Sequence, residues 1–168
     1  MKEKLLNNMV FEKHPSKIID DYWVHANPKS QIKEITNNCG KWLIFIYTKD
    51  LDEFWQKIAR ATEKGELGIG AKAGTAKENP NATNQDVKVI CVYTYNSEDK
   101  DDVARIAWKL FDLGVVSRVL NYKKDKVTIE GKYAINGDKK ISRYSVSINH
   151  FKDKNEKEFI EFFREHFE

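Results

Sequence analysis

The segment GKWLIFIY at residues 40–47, followed by DLDEFW at residues 50–55, decides the fold of this chain. The first part is short, apolar and rich in β-branched and aromatic residues, so it predicts a buried strand. In the second part, Asp50 occupies an N-cap position and Glu53 follows three residues later, as in a capping box. Apolar residues then recur at three- and four-residue spacing, so we expect a helix over residues 51–64 that packs on the strand.

The rest of the chain carries similar signals. Ser97 is expected to cap a second helix, Gly65 and Gly114 to end helices, and Asn136-Gly137 to form a hairpin turn. The sequence predicts an α+β fold with a curved, mostly antiparallel sheet, helices packed on one face and the other face open. The predicted strands are residues 22–25, 41–48, 67–75, 88–95, 115–122, 127–135 and 141–148, and the predicted helices are 51–64, 97–113 and 156–167.

The length of the chain predicts a single domain. Its 168 residues suffice for one compact core and are too few for two comfortable ones. We therefore expect one domain over residues 1–168, with an N-terminal arm or helix at 1–20 and a C-terminal helix within 149–168.

Charge and cysteine content exclude several classes of protein. The 29 Lys and Arg against 26 Asp and Glu give a formal charge of only +3, which does not demand a nucleic acid. The basic bias lies between Ser117 and Arg143, with eight basic against three acidic residues. Cys39 and Cys91 show no disulfide or metal spacing. We therefore expect no metal or cofactor. Because no segment resembles a signal peptide or membrane span, we also expect a cytoplasmic protein.

Several residues are candidates for ligand contact. Lys72 lies between two alanines in a small-residue segment, so a phosphate could come close to it; the alternative is an ordinary solvated lysine. Trp23 precedes a Pro-containing loop and either packs or stacks on a ligand. Basic and aromatic residues alternate on the C-terminal strands, a pattern that can stack bases and track phosphates, or can form a solvated face. These pairs are Tyr122-Lys123, Lys132-Tyr133 and Arg143-Tyr144.

Catalytic motifs are weak. The four histidines form no paired or metal-binding motif, and no nucleophile elbow is present. Asp125 and Glu130 are carboxylates whose spatial partners the sequence does not show. The balance of these observations is against an enzyme.

The order of these motifs resembles the fold of the eukaryotic cap-binding translation initiation factor 4E. More closely, it is similar to the family named after the basophilic-leukaemia-expressed protein, which shares that fold. The matching segments are Gly40-Lys41-Trp42, Ala71-Lys72 with Thr75, Val89–Thr94, Asp99-x-x-Asp102-Val103-Ala104-Arg105-Ile106 and Tyr122-Lys123-x-Asp125-x-x-Thr128-x-x-Gly131-x-Tyr133.

This resemblance implies specific contacts. It places phosphate-contacting basic residues at Lys72 and Lys88, and an aromatic that lines the pocket at Tyr93. The cap-binding factors hold a methylated base between two tryptophans, one of them on the loop before the strand that matches Gly40. Here that loop, residues 27–39, contains no aromatic residue, which argues against specific cap binding.

The sequence leads to one main hypothesis and two alternatives. The main hypothesis is non-catalytic binding of a phosphate-bearing ligand, RNA or a nucleotide, on the open sheet face. Phosphate contacts are expected from Lys72, Lys88 and Lys123, and ring contacts from Trp23, Tyr93 and Tyr133. The alternatives are a protein–protein interaction module with a protein partner and a small nucleotide-processing enzyme.

Overall fold

The computed structural model describes residues 13–30, 33–34, 36–125 and 143–167. Within these residues the chain forms one six-stranded antiparallel sheet and three α-helices. In chain order they are β1 (Trp23–Ala26), β2 (Gly40–Tyr47), α1 (Thr48–Glu63), β3 (Gly70–Gly74), β4 (Val87–Thr94), α2 (Lys100–Asp112), β5 (Val119–Lys124), β6 (Tyr144–Ser147) and α3 (Glu156–His166).

The sheet is curved and has the strand order β1-β3-β4-β2-β5-β6, so β2 is an interior strand. Residues that alternate along β2 point to the same face. Trp42, Ile44 and Ile46 are buried beneath the helices, and the Trp42 indole donates a hydrogen bond to the Val103 carbonyl of α2 at 2.9 Å. The predicted α+β fold with helices packed on one face is confirmed.

The prediction that Asp50 caps the first helix is wrong. Helix α1 begins at Thr48, directly after β2, and the N-cap residue Tyr47 contributes no side-chain cap. Instead, the backbone N–H and the hydroxyl of Thr48 both donate to the Asp86 carbonyl at 3.0 Å. The loop before β4 therefore supplies the acceptor that the sequence motif assigned to Asp50.

The cap of the second helix was also predicted at the wrong residue. Asp99, not Ser97, is the N-cap of α2, and its carboxylate accepts a hydrogen bond from the Asp102 N–H at 3.1 Å. Ser97 is fully buried two residues earlier. The predicted glycines are confirmed: Gly65 and Gly114 follow α1 and α2 with φ of 75°.

The terminal elements were predicted in part. Residues 1–12 of the expected N-terminal arm lie outside the described residues, and the following segment forms a 3-10 turn at Pro15–Lys17. The predicted strand at 127–135 and the hairpin turn at 136–137 also lie outside them. The C-terminal helix is confirmed as α3, with Asn155 as its N-cap.

None of the helices in the described part of the chain combines the length and the apolar character needed to cross a bilayer.

Candidate ligand-binding site

Strand alternation divides β2 between two environments. Along β2, the residues that alternate with the buried Trp42 and Ile44 point to the opposite side of the sheet. No helix of the described residues packs on that side, and we call it the open face. The prediction of a buried strand therefore holds for one side of β2 only, since Phe45 is 59% exposed on the other.

A cluster of lysines lies at one end of the open face. In the register of the sheet, Lys41 lies between Tyr93 of β4 and Lys123 of β5. Lys72 of β3 lies beside Cys91 of β4 on the same face. Lys41 and Lys123 are 8% and 4% exposed, which is unusual because lysine side chains are seldom buried. We call Lys41, Lys72, Lys123 and Tyr93 the basic cluster.

Asp125 provides a negative charge within this cluster. Its carboxylate lies 3.1 Å from the Lys41 ammonium and accepts a hydrogen bond from the Cys39 thiol, also at 3.1 Å. Burial, followed by the hydrogen bond and the charge of Asp125, raises the pKa of Cys39 to about 11. The thiol is therefore protonated at neutral pH and acts as a hydrogen-bond donor.

Lys72 is held by an aromatic ring. Its ammonium lies 3.9 Å from the ring centroid of Trp23 on the neighbouring strand β1, a cation–π contact. Among the described residues no carboxylate lies within ion-pair distance of this ammonium. Partial burial lowers the pKa of Lys72, since desolvation disfavours the charged form.

Tyr93 links these lysines. It lies between Gly70 and Lys41 in the register of the sheet, and the Lys41 ammonium is 5.4 Å from the centroid of its ring. Burial raises the pKa of the Tyr93 hydroxyl, so the phenol stays neutral and can donate a hydrogen bond. The structure thus brings four predicted site residues, Lys72, Lys123, Tyr93 and Trp23, to one face.

Lys88 is placed elsewhere. It pairs with the core residue Ile46, so strand alternation assigns it to the helix-covered face, where it is 7% exposed. Its ammonium lies 3.5 Å from the Lys77 carbonyl. Tyr133, the sixth predicted site residue, lies outside the described residues.

Two of the predicted pairs of aromatic and basic residues, Tyr122-Lys123 and Arg143-Tyr144, do not share a surface, and the third, Lys132-Tyr133, lies outside the described residues. Tyr122 and Tyr144 point into the core, where they contact each other at 5.6 Å between ring centroids. The Tyr122 hydroxyl lies 2.6 Å from that of Thr94, and a Cβ at Gly40 would come within 2.3 Å of it, so this position requires glycine. The prediction that bases stack on Tyr122 is therefore wrong. Its neighbour Lys123 does lie on the open face.

Sequence reasoning missed Lys41 as a site residue, and it named Asp125 only as a carboxylate without a known partner. A usable signal for Lys41 was present, because it is the only charged residue in the strand GKWLIFIY. No local signal connects Asp125 to it, since the two meet only through the pairing of β2 with β5.

The other end of the open face is apolar. Leu43 and Phe45 of β2 continue the side of the strand that carries Lys41, and Val89 pairs with Phe45. Phe45, Tyr47 and Val119 are 59%, 59% and 52% exposed. We call Leu43, Phe45, Tyr47, Val89 and Val119 the apolar patch. It was not predicted from the sequence.

A cavity of about 90 Å³ lies away from the open face, between the end of α1 and the start of α2. Its charged groups are already paired: Asp102 accepts hydrogen bonds from Arg105 and from Lys33, and Arg105 also donates to the Leu67 carbonyl. These contacts serve the junction of the two helices. The described residues contain no group of His, Cys, Asp or Glu that could hold a metal ion.

Solved structures of eIF4E have a similar fold. The chain is similar to a schistosome eIF4E complexed with m7GpppA and 4E-BP, with 12% identity, a TM-score of 0.60, and coverage of 86% of this chain and 80% of that one. For Ascaris suum eIF4E-3 with m7G cap the values are 14%, 0.56, 86% and 79%. For C. elegans eIF4E-3 with the 4E-binding protein Mextli and a cap analog they are 16%, 0.57, 86% and 80%. These similarities show the fold.

A family model places the chain more narrowly. The model of the basophilic leukemia-expressed protein Bles03 matches residues 27–129, which include β2 to β5, helices α1 and α2 and all four residues of the basic cluster. The match thus spans four of the six strands, including all those that carry the basic cluster, and the chain belongs to the Bles03 family.

Proposed function

We propose that the protein binds a phosphate-bearing ligand, RNA or a nucleotide, on the open sheet face and does not catalyse a reaction on it. The observation that carries this proposal is the convergence of Lys41, Lys72 and Lys123, from three different strands, on one region of one face. Ammonium groups on flexible stems are suited to phosphate oxygens. A phosphate at this position would also repay the cost of desolvating Lys72.

The two thiols on this side support binding rather than covalent chemistry. The raised pKa of Cys39, about 11, leaves very little reactive thiolate at neutral pH. Burial also raises the pKa of Cys91, which is 3% exposed. Nucleotides are the small ligands in the similar structures, which contain m7GpppA or an m7G cap. Our proposal takes the phosphate-bearing class from them and not the cap, because the loop before β2 has no aromatic residue.

The test is the salt dependence of binding to a fluorescently labelled oligouridylate RNA of about six nucleotides, measured by anisotropy. The logarithm of the affinity should fall linearly with the logarithm of the salt concentration. Lys72→Met keeps the apolar stem and removes the charge, so it should weaken binding about tenfold and reduce the slope by about 0.7.

Lys57→Met is the matched control, because Lys57 lies on α1, away from the open face, and pairs with Glu53 at 3.5 Å. It should leave both the affinity and the slope unchanged. Binding that does not depend on salt, or equal effects of the two substitutions, would contradict the proposed function.

A further inference from the structure

Within the described part of the chain, no helix or loop covers the exposed side chains of the apolar patch. Core residues of β2 are covered by helices, whereas Phe45 and Tyr47 on the same strand are each 59% exposed. Val119 on β5 is 52% exposed on the same face as Phe45. These side chains form an apolar surface that continues directly from the basic cluster along β2.

We propose that this patch stacks the bases of a single-stranded nucleic acid whose phosphates lie on the basic cluster. The proposal rests on the proposed function and narrows its ligand from any nucleotide to an oligonucleotide. Proteins that bind single strands combine a positively charged groove with aromatic rings on which bases stack. Here both parts lie on one sheet face, with Lys41 and Phe45 on the same side of β2.

The spacing between the two parts favours an oligonucleotide. Lys41 and Phe45 are four residues apart, which corresponds to ~13 Å along a strand. Stacked nucleotides advance by ~3.4 Å each, so this distance corresponds to about four of them. A nucleoside monophosphate is therefore too short to occupy both parts, whereas a short single strand is long enough.

The contacts made by the Lys41 and Lys72 ammonium groups keep both groups away from Phe45. The Lys41 ammonium is paired with Asp125, the residue directly after β5. Because Lys124 pairs with Gly40, Asp125 lies at the beginning of β2, and Phe45 lies toward its other end. The Lys72 ammonium lies over Trp23 on β1, and three inter-strand steps separate β1 from β2. At ~4.8 Å for each step, this ring is ~14 Å from the strand that carries Phe45.

The aromatic rings of the two parts differ in whether a lysine ammonium lies near them. Trp23 and Tyr93 each have a lysine ammonium near the ring, at 3.9 Å and 5.4 Å from the centroid. Among the described residues, no cation lies over the ring of Phe45. Phe45 therefore offers a bare aromatic face, which every base can stack on regardless of sequence.

The experiment compares two labelled RNA oligomers of the same length and charge, an oligoadenylate of about six nucleotides and its abasic counterpart. The intact protein should bind the oligoadenylate about tenfold more tightly, because stacking needs the base. Phe45→Thr should abolish this difference without changing the salt slope, and Phe45→Tyr, which keeps a ring, should retain it. Ile19→Thr is the control, since Ile19 is an exposed apolar residue in the segment before β1.

The outcomes separate this inference from the proposed function. Equal binding of the two oligomers to the intact protein, or a difference that survives Phe45→Thr, overturns the stacking site while phosphate binding stands. A change of oligomeric state in Phe45→Thr with unchanged RNA binding also overturns it, because the patch would then contact a second copy of the chain. If neither oligomer nor inorganic tripolyphosphate binds, the proposed function itself fails.

Discussion

The two parts of the open face differ in how firmly the protein holds their side chains. In the basic cluster, Lys41 is ion-paired with Asp125, and Lys72 rests on Trp23. In the apolar patch, Phe45 and Tyr47 have most of their surface in solvent. A single strand, β2, contributes to both parts, so the difference arises from what the neighbouring strands supply at each end.

This difference implies that the two parts contribute differently to the free energy of folding. Burying a lysine costs free energy unless an anion compensates, so the basic cluster needs Asp125 for the fold itself. An exposed aromatic residue contributes little to folding, so its presence on β2 calls for a different explanation. The comparison predicts that substitutions in the basic cluster alter both stability and binding, whereas substitutions in the apolar patch alter binding alone.

The largest expected effect concerns the reactivity of Cys39. The pKa of the Cys39 thiol is about 11, against an ordinary 9.0, so the thiol remains mostly protonated as the pH rises past 9.0. At pH 8 the thiolate fraction should be about a hundredfold below that of an ordinary thiol. Alkylation by iodoacetamide, followed by mass spectrometry of the Cys39 peptide, should therefore show a rate that still rises above pH 9.

Asp125→Asn sharpens this measurement, because it removes the negative charge that helps to hold the proton on the thiol. The midpoint of the Cys39 rate profile should move down toward 9.0. Cys91 is the internal reference, since it is 3% exposed and should react slowly at every pH. A wild-type profile that levels off near 9.0 would show that Asp125 and Cys39 are not coupled.

The second effect is on stability. Asp125→Asn leaves Lys41 with no charged partner in the ion pair, so the free energy of unfolding should fall by about 2 kcal/mol. Urea denaturation at neutral pH measures this loss, and added tripolyphosphate should restore part of it if phosphate binds the cluster.

Glu53→Gln provides the control for that measurement. It removes one partner of the exposed Lys57–Glu53 pair, whose side chains are 42% and 68% exposed. Such a pair contributes little, so the change should be below about 0.5 kcal/mol. Equal losses in the two variants would indicate that Asp125 is no more than a surface charge.

The fold was largely predictable because its signals are local. The apolar alternation of β2, the helical spacing in α1 and the glycines at 65 and 114 each lie within a few residues of the element that they define. The helix caps were less predictable, since Thr48 donates to a carbonyl from a distant loop and Asp99, rather than Ser97, caps α2.

The candidate site was predictable only in part. Lys72, Lys123, Tyr93 and Trp23 come to one face, and small residues around Lys72 or family resemblance pointed to most of them. Lys88 shows the limit, because a shift of one residue along a strand changes the face. The pairing of Lys41 with Asp125 depends on the β2–β5 register, and no sequence-local pattern encodes it.

The smallest expected effect tests the apolar patch as a part of the fold. Phe45→Thr places a β-branched residue with high strand propensity at an exposed strand position, so the free energy of unfolding should change by less than about 0.5 kcal/mol. The neighbouring Ile44 is 5% exposed, and Ile44→Thr should cost about 2 kcal/mol or more, because it puts a hydroxyl into the core. Urea denaturation of the two variants compares adjacent residues on opposite faces of one strand. If Phe45→Thr proves as costly as Ile44→Thr, the patch serves the fold, and its exposure no longer argues for a ligand.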